Sequence, residues 1–172
     1  MFFIVITILS LWDLKLHFVA YFVLWDCKSN VQLIVDVSIW NETLSQVKIY
    51  GLKTNLNKIK LELSDIIHEC IVESLSFPKD KKYHRFITFD KDEMLFPDDK
   101  SDQYTIIEIM MMEGRSTDTK KHLIKSLFTN INDILHIDHN DLEVCIIESP
   151  ACNWGFRGMT GDQIKLGYKV NL

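Results

Sequence analysis

Residues 104–148, YTIIEIMMMEGRSTDTKKHLIKSLFTNINDILHIDHNDLEVCIIE, decide the fold. Tyr104–Met112 reads as a strand rich in branched and apolar residues. Gly114 permits a tight turn after it. Ser116 is placed to cap a helix, with Asp118 in the first turn where the helix dipole favours negative charge. Leu123, Ile124, Leu127, Phe128, Ile131, Ile134 and Leu135 then recur in steps of three and four, the signature of one apolar helix face. Asp138–Asp141 reads as a turn and Leu142–Glu148 as a second strand. Strand, helix and strand in this order make a β-α-β unit, whose crossover is right-handed.

The same pattern stands about sixty residues upstream. Gln46–Gly51 (QVKIYG) alternates Val47 and Ile49 with Lys48 and Tyr50, as a strand with one buried face does. Asn55–Ser76 carries Ile59, Leu63, Ile66, Ile67, Cys70 and Ile71 at helical spacing. Phe77-Pro78 stops that helix, because a residue before proline avoids helical φ/ψ. Tyr83–Phe89 (YHRFITF) is the next strand. The expected fold is therefore α+β: tandem β-α-β units forming a four-stranded mixed sheet, with two helices on one face. The other face is left uncovered, and a face rich in Ile and Met predicts an oligomer. Leu166–Val170 (LGYKV) is expected to form a short strand against a neighbouring subunit.

Residues 1–43 differ from this body. They hold eight of the 19 aromatic residues, no Gly or Pro, and only six charges. Their uncharged runs, Met1–Trp12 and Leu16–Trp25, span 12 and 10 residues. Both fall short of the ~18–20 that a spanning helix needs. Joining them would place Asp13 and Lys15 near mid-membrane, at about 2.5–3.5 kcal/mol each. A signal peptide would need a basic leading region, which is missing. Residues 1–45 are read as an atypical extension and 46–172 as the functional domain. The extension is either a segment upstream of the true start, an added folded element, or a membrane or export segment. The first of these is favoured, and contact of residues 1–25 with a membrane is not expected.

Composition excludes several classes. A net charge of −5 argues against a dedicated nucleic-acid binder. Three Pro and six Gly exclude collagen-like and low-complexity chains. The cysteines, at 27, 70, 145 and 152, contain no CxxC pair, which argues against a zinc site or disulfide scaffold and for a reducing, cytoplasmic setting. No GxGxxG, P-loop, GxSxG or HExxH is present, so no cofactor is expected. His136 and His139 form an HxxH in a turn, too few ligands for a metal site.

Three stretches could carry chemistry. In Glu113-Gly114-Arg115-Ser116, Arg115 lies beside a helix N-terminus, an arrangement suited to clamping a carboxylate or phosphate. Asn153–Gly158 (NWGFRG) places Trp154 and Phe156 in a loop able to pack over a pocket. Tyr83-His84-Arg85 follows Lys79, Lys81 and Lys82, a local basic cluster in which Tyr83 is a candidate substrate contact. His68 and His122 read as packing or surface residues, Asp99–Asp102 as a polar loop, and Met110–Met112 as core and interface filler.

Taken in order, VKIYG, LSDIIHECIVESL, FPKDKKYHRF, YTIIEI, EGRS…KK and NWGFRG resemble the tautomerase superfamily, over about residues 46–172. The chain is similar to the bacterial branch related to malonate semialdehyde decarboxylase and to 4-oxalocrotonate tautomerase-like proteins. That resemblance implies a homotrimer without cofactor. It also implies a pocket at the end of the first strand, often at a subunit interface, for a small anionic keto or enol acid. Arg115 would hold the substrate carboxylate, and Trp154 and Phe156 would wall the pocket. The family's usual catalyst is an amino-terminal proline acting as base, acid or covalent nucleophile. This chain has no proline before Pro78, and Ser45 stands where that residue would fall. Within the 172-residue chain the Ser45 nitrogen is a non-basic peptide amide. If translation began at Leu44, read as Met from a leucine codon, removal of that Met would free a primary amine on Ser45. Asp80 and Lys81 do not line up with the decarboxylase subgroup's catalytic Asp, so decarboxylation is not expected. Two functions follow: keto–enol tautomerisation, or a non-catalytic binding or structural trimer.

Overall fold

The structure is a computed structural model that describes residues 4–7, 20–25, 31–34, 45–156 and 158–163. The chain divides into two compact units, Met1–Trp40 and Asn41–Leu172. In the first, β1 (Ile4–Thr7), β2 (Ala20–Trp25) and β3 (Val31–Ile34) form an antiparallel sheet. No helix among the described residues is long and apolar enough to cross a membrane.

The second unit contains the two β-α-β repeats. They comprise β4 (Ser45–Leu52), α1 (Lys53–Leu75), β5 (His84–Phe89), β6 (Thr105–Met112), α2 (Thr117–Leu135) and β7 (Leu142–Ser149). Two short strands, β8 (Gly155–Phe156) and β9 (Met159–Thr160), close a small hairpin beyond β7. The main sheet runs β5-β4-β6-β7. Within each repeat the strands are parallel, while β4 and β6 pair antiparallel with Ser45 opposite Met111 and Gly51 opposite Thr105. The four-stranded mixed sheet expected from the repeat is thus present. The expected LGYKV strand lies outside the described residues.

Alternation along the strands explains the layering. Val47 and Ile49 of β4, with Ile107, Ile109 and Met111 of β6, are buried on one face. Leu63, Ile67 and Ile71 of α1, and Leu123, Leu127 and Ile131 of α2, join them in one core. Each such side chain contributes about 1.5–3 kcal/mol of burial. The helices also meet each other, where buried Cys70 Sγ accepts hydrogen bonds from Ser126 Oγ (3.3 Å) and Asn130 Nδ2 (3.4 Å). Helix ends follow local chemistry. Ser116 Oγ accepts from Thr119 N at 3.1 Å, making the expected N-cap. α1 ends at Ser76 in the left-handed region (φ 51°), just before Phe77-Pro78.

The opposite face corrects one expectation. It is not a plain apolar surface of Ile and Met. The pleat sends Ile107, Ile109 and Met111 inward to the helices and leaves Ile106, Glu108 and Met110 outward. At its centre the Tyr50 hydroxyl donates to Glu108 Oε2 (2.8 Å) and Lys48 Nζ lies 3.6 Å from the same oxygen. Arg85 donates to Gln46 Oε1 at 2.7 Å. This face is amphipathic.

The long β5–β6 connection is pinned by Asp141. Its buried carboxylate accepts from Ser101 N (2.6 Å) and Ser101 Oγ (2.5 Å). Lys100 donates to the Asn140 carbonyl, and Asn140 Nδ2 to the Asp99 carbonyl at 2.6 Å. Asp141→Ala should lower stability by about 1–3 kcal/mol, because it strands buried donors. Urea unfolding checks this, and an unchanged midpoint would remove the carboxylate from its clamping role.

Candidate functional site

Because β4 runs antiparallel to β6, its start lies at the ends of β6 and β7. The start of β5 lies there too. All five residues singled out from the sequence therefore come from one end of the sheet. Ser45 opens β4 and is buried, beside Met111 in register. Tyr83 precedes β5; its carbonyl accepts from Val47 N at 2.9 Å and its ring is half exposed. Arg115 follows the end of β6, and Trp154 and Phe156 follow the end of β7.

Arg115 is reached through a bent turn. Gly114 has φ 130°, open to glycine and strained for other residues. Glu113 N donates to the Ser149 carbonyl (3.1 Å), carrying the β6–β7 pairing one step further. The Arg115 side chain then folds back, and Nη1 donates to the Met112 carbonyl at 3.1 Å. It is only 5% exposed, so its guanidinium is held inside the protein rather than in solvent. Beside it, Lys120 of α2 pairs with Glu148 of β7 at 2.5 Å and locks the helix start to the strand end.

Trp154 leaves a short 3-10 turn, Ala151–Asn153, and packs at 6.4 Å and 41° against Phe156. The indole is 8% exposed, and its buried Nε1 makes no hydrogen bond. A stranded buried donor costs about 1–3 kcal/mol. The loop is tied back by Gly161 N donating to the Trp154 carbonyl (2.9 Å). Gly161 also fits tightly: a Cβ there would strike Met112 Cε and lie 2.5 Å from the Ala151 carbonyl. Met112 thus joins Arg115, through its carbonyl, to the Trp154 loop, through its side chain. Gly161 is not among the residues singled out from the sequence; its signal there is a second glycine-bearing turn, Met159–Asp162, after NWGFRG.

A second feature escaped the sequence. Ser64 Oγ of α1 lies 2.8 Å from His84 Nδ1, and the His68 ring, 6.1 Å away, bonds the Lys79 carbonyl through Nε2 (2.9 Å). Burial first, then His68 and Lys82, push the His84 pKa from 6.5 to about 4, against a smaller opposing pull from Asp65. Lys82 itself pairs with Asp65 at 2.5 Å. Of the turn histidines, His136 closes α2 in the left-handed region and the His139 ring packs edge-on to Phe128. Among the described residues no group of three or more potential ligands could hold a metal.

The comparisons with known proteins agree with the fold. Residues 81–157 match the family described as "Tautomerase enzyme". The chain is 22% identical over 111 residues to probable tautomerase YusQ of Bacillus subtilis (strain 168), covering 61% of this chain and 87% of that protein. Over residues 81–157 the chain is thus similar to tautomerases. Its fold matches malonate semialdehyde decarboxylase at TM-score 0.59 and 20% identity, over 66% of this chain and 92% of that one. It matches R7 fused 4-OT, solved as an asymmetric trimer, at TM-score 0.61 and 17% identity, over 68% and 96%.

Gly161→Ala should cost about 1–3 kcal/mol, since the Ala151 carbonyl cannot move aside as a side chain could. Thermal unfolding reads the loss, and an unperturbed Tm would show that the loop yields. For His84, the folded-state pKa lies below the unfolded one. Stability is therefore complete above pH ~6.5 and falls as the pH drops toward 4, on the order of 2 kcal/mol after solvent screening. His84→Gln should flatten that decline in urea titrations at stepped pH; an unchanged slope would assign the acid sensitivity to other groups.

Proposed function

We propose that residues 46–172 bind a small anionic keto or enol acid at the sheet end described above, with Arg115 as the carboxylate clamp. The observation that carries this reading is a buried guanidinium bonded to the Met112 carbonyl, and a buried indole N–H that makes no hydrogen bond, at the sheet end where β4 starts. Both are donors, and a carboxylate is the acceptor that suits them. Trp154 and Phe156 supply an apolar wall, and Tyr83 a flanking ring. The basic run at Lys79, Lys81 and Lys82 supports an anionic ligand by raising the local potential. No cofactor enters this reading. The assembly is a homotrimer, as R7 fused 4-OT is trimeric, and the setting is the cytoplasm.

Catalysis depends on the nitrogen of Ser45. In a chain beginning at Ser45 it is a primary α-amine, with an ordinary pKa of about 7.7–8.0. Set near Arg115, it would titrate lower and serve as the base that moves a proton between enol oxygen and carbon. In a chain carrying residues 1–44 the same nitrogen is an amide, and the site binds without turning over. That amide favours the second reading, a binding or structural trimer.

N-terminal sequencing of protein from its native host, with ketonisation of phenylenolpyruvate followed by absorbance, tests both. A Ser45-initiated chain should accelerate ketonisation, with a rate rising through the amine pKa. Arg115→Ala should lower kcat/KM by about a hundredfold, the equivalent of a lost charge-assisted clamp. If the Ser45-initiated chain and Arg115→Ala both match buffer, the enzyme reading fails.

A further inference from the structure

The opposite end of the main sheet holds a cavity of about 480 Å³. It lies between the outer sheet face and the β5–β6 connection, away from Ser45 and Arg115. Its walls include Tyr50 and Phe89, stacked at 6.5 Å and 14°, and Phe96 with Tyr104 at 5.3 Å. Its charged lining is Glu93 and Glu108; Glu108 Oε2 faces Tyr50 and lies 3.6 Å from Lys48 Nζ, which leaves Oε1 for a ligand. No Lys, Arg or His is among the described residues that line it.

The connection is built rather than loose. Asp90 N donates to Glu93 Oε2 (3.1 Å), Lys91 pairs with Asp102 (2.9 Å), and Asp141 holds Ser101. Within this braced segment, Met94-Leu95-Phe96-Pro97 is continuously apolar, and Leu95 at the cavity rim is 91% exposed. An exposed leucine beside an aromatic hollow offers apolar surface to a partner. Charge narrows the partner further. Residues 90–102 carry six acidic side chains against two lysines, giving this end a negative potential. The ring faces favour cations, and Lys100 Nζ already stands 5.4 Å from the Tyr104 centroid.

We infer that this cavity is a second ligand site, for a small organic cation bearing an aromatic or branched apolar group. The ammonium would sit toward Glu108 and Glu93, and the hydrocarbon among Tyr50, Phe89, Phe96 and Leu95. The site is independent of the anion-binding end and of whether that end is catalytic.

Calorimetric titration of the full chain with 2-phenylethylammonium, alongside 3-phenylpropionate, tests the inference. The ammonium ion should bind saturably and at least about tenfold more tightly than the carboxylate, since the lining charge opposes the latter. Backbone NMR shifts should cluster at residues 93–108. Glu108→Gln should weaken ammonium binding about tenfold or more. Leu95→Ser, a change at an exposed side chain that leaves the fold intact, should weaken it severalfold. Equal binding of both ions, no binding, or shifts centred on Arg115 and Trp154 would each overturn the inference. So would an oligomer that Leu95→Ser disperses without any ammonium binding, because the hollow would then be a contact between copies.

Discussion

The antiparallel pairing of Ser45–Gly51 with Thr105–Met111 joins the two β-α-β units, and most of the molecule's chemistry depends on it. Each unit alone has parallel strands, whose connection must cross the whole sheet. Joined tail to head, the units place the start of β4 against the end of β6. A one-residue slip of β4 would turn Val47 and Ile49 out of the core, so burial fixes the register. That same register sets Ser45 beside Met111, one residue from the carbonyl that holds Arg115.

The two ends of the sheet consequently differ in kind. At one end a strand gives way to the Gly114 turn and the N-terminus of α2, and a second strand gives way to the Trp154 loop. Donors collect there: the guanidinium, the indole N–H and the first free amides of the helix. At the other end lies the long connection after β5, rich in carboxylates and aromatic rings. One strand, β5, links a basic approach at Lys79–Lys82 to an acidic departure at Asp90–Asp102. The polarity of the chain thus becomes a polarity of charge.

Periodicity made the strands and helices legible. Alternation in Gln46–Gly51 and the three-and-four steps in Leu123–Leu135 each identify an element, because burial on one face is a local demand on sequence. Ser116 was legible as a cap for the same reason. What the sequence concealed depends on residues far apart in the chain. The pairing of His84 with Ser64 spans 20 residues, and that of Asp141 with Ser101 spans 40. Nothing near either residue marks its partner. The outer face is less apolar than a sheet face rich in Ile and Met, because the pleat sends Ile107, Ile109 and Met111 inward and leaves Glu108 outside. For the site, residue type predicted Arg115 as a donor, while the buried Trp154 N–H and the link of both residues through Met112 appeared only with the fold.

The buried donors and Ser45 are held by different parts of the fold. Arg115 is set by the Gly114 turn and the Met112 carbonyl, and Trp154 by the end of β7 and by Gly161. Both supports lie within residues 112–161, in the second repeat and the loop beyond it, whereas Ser45 opens β4 in the first repeat. The antiparallel pairing of β4 with β6 is what brings the Ser45 nitrogen to the same sheet end as those donors.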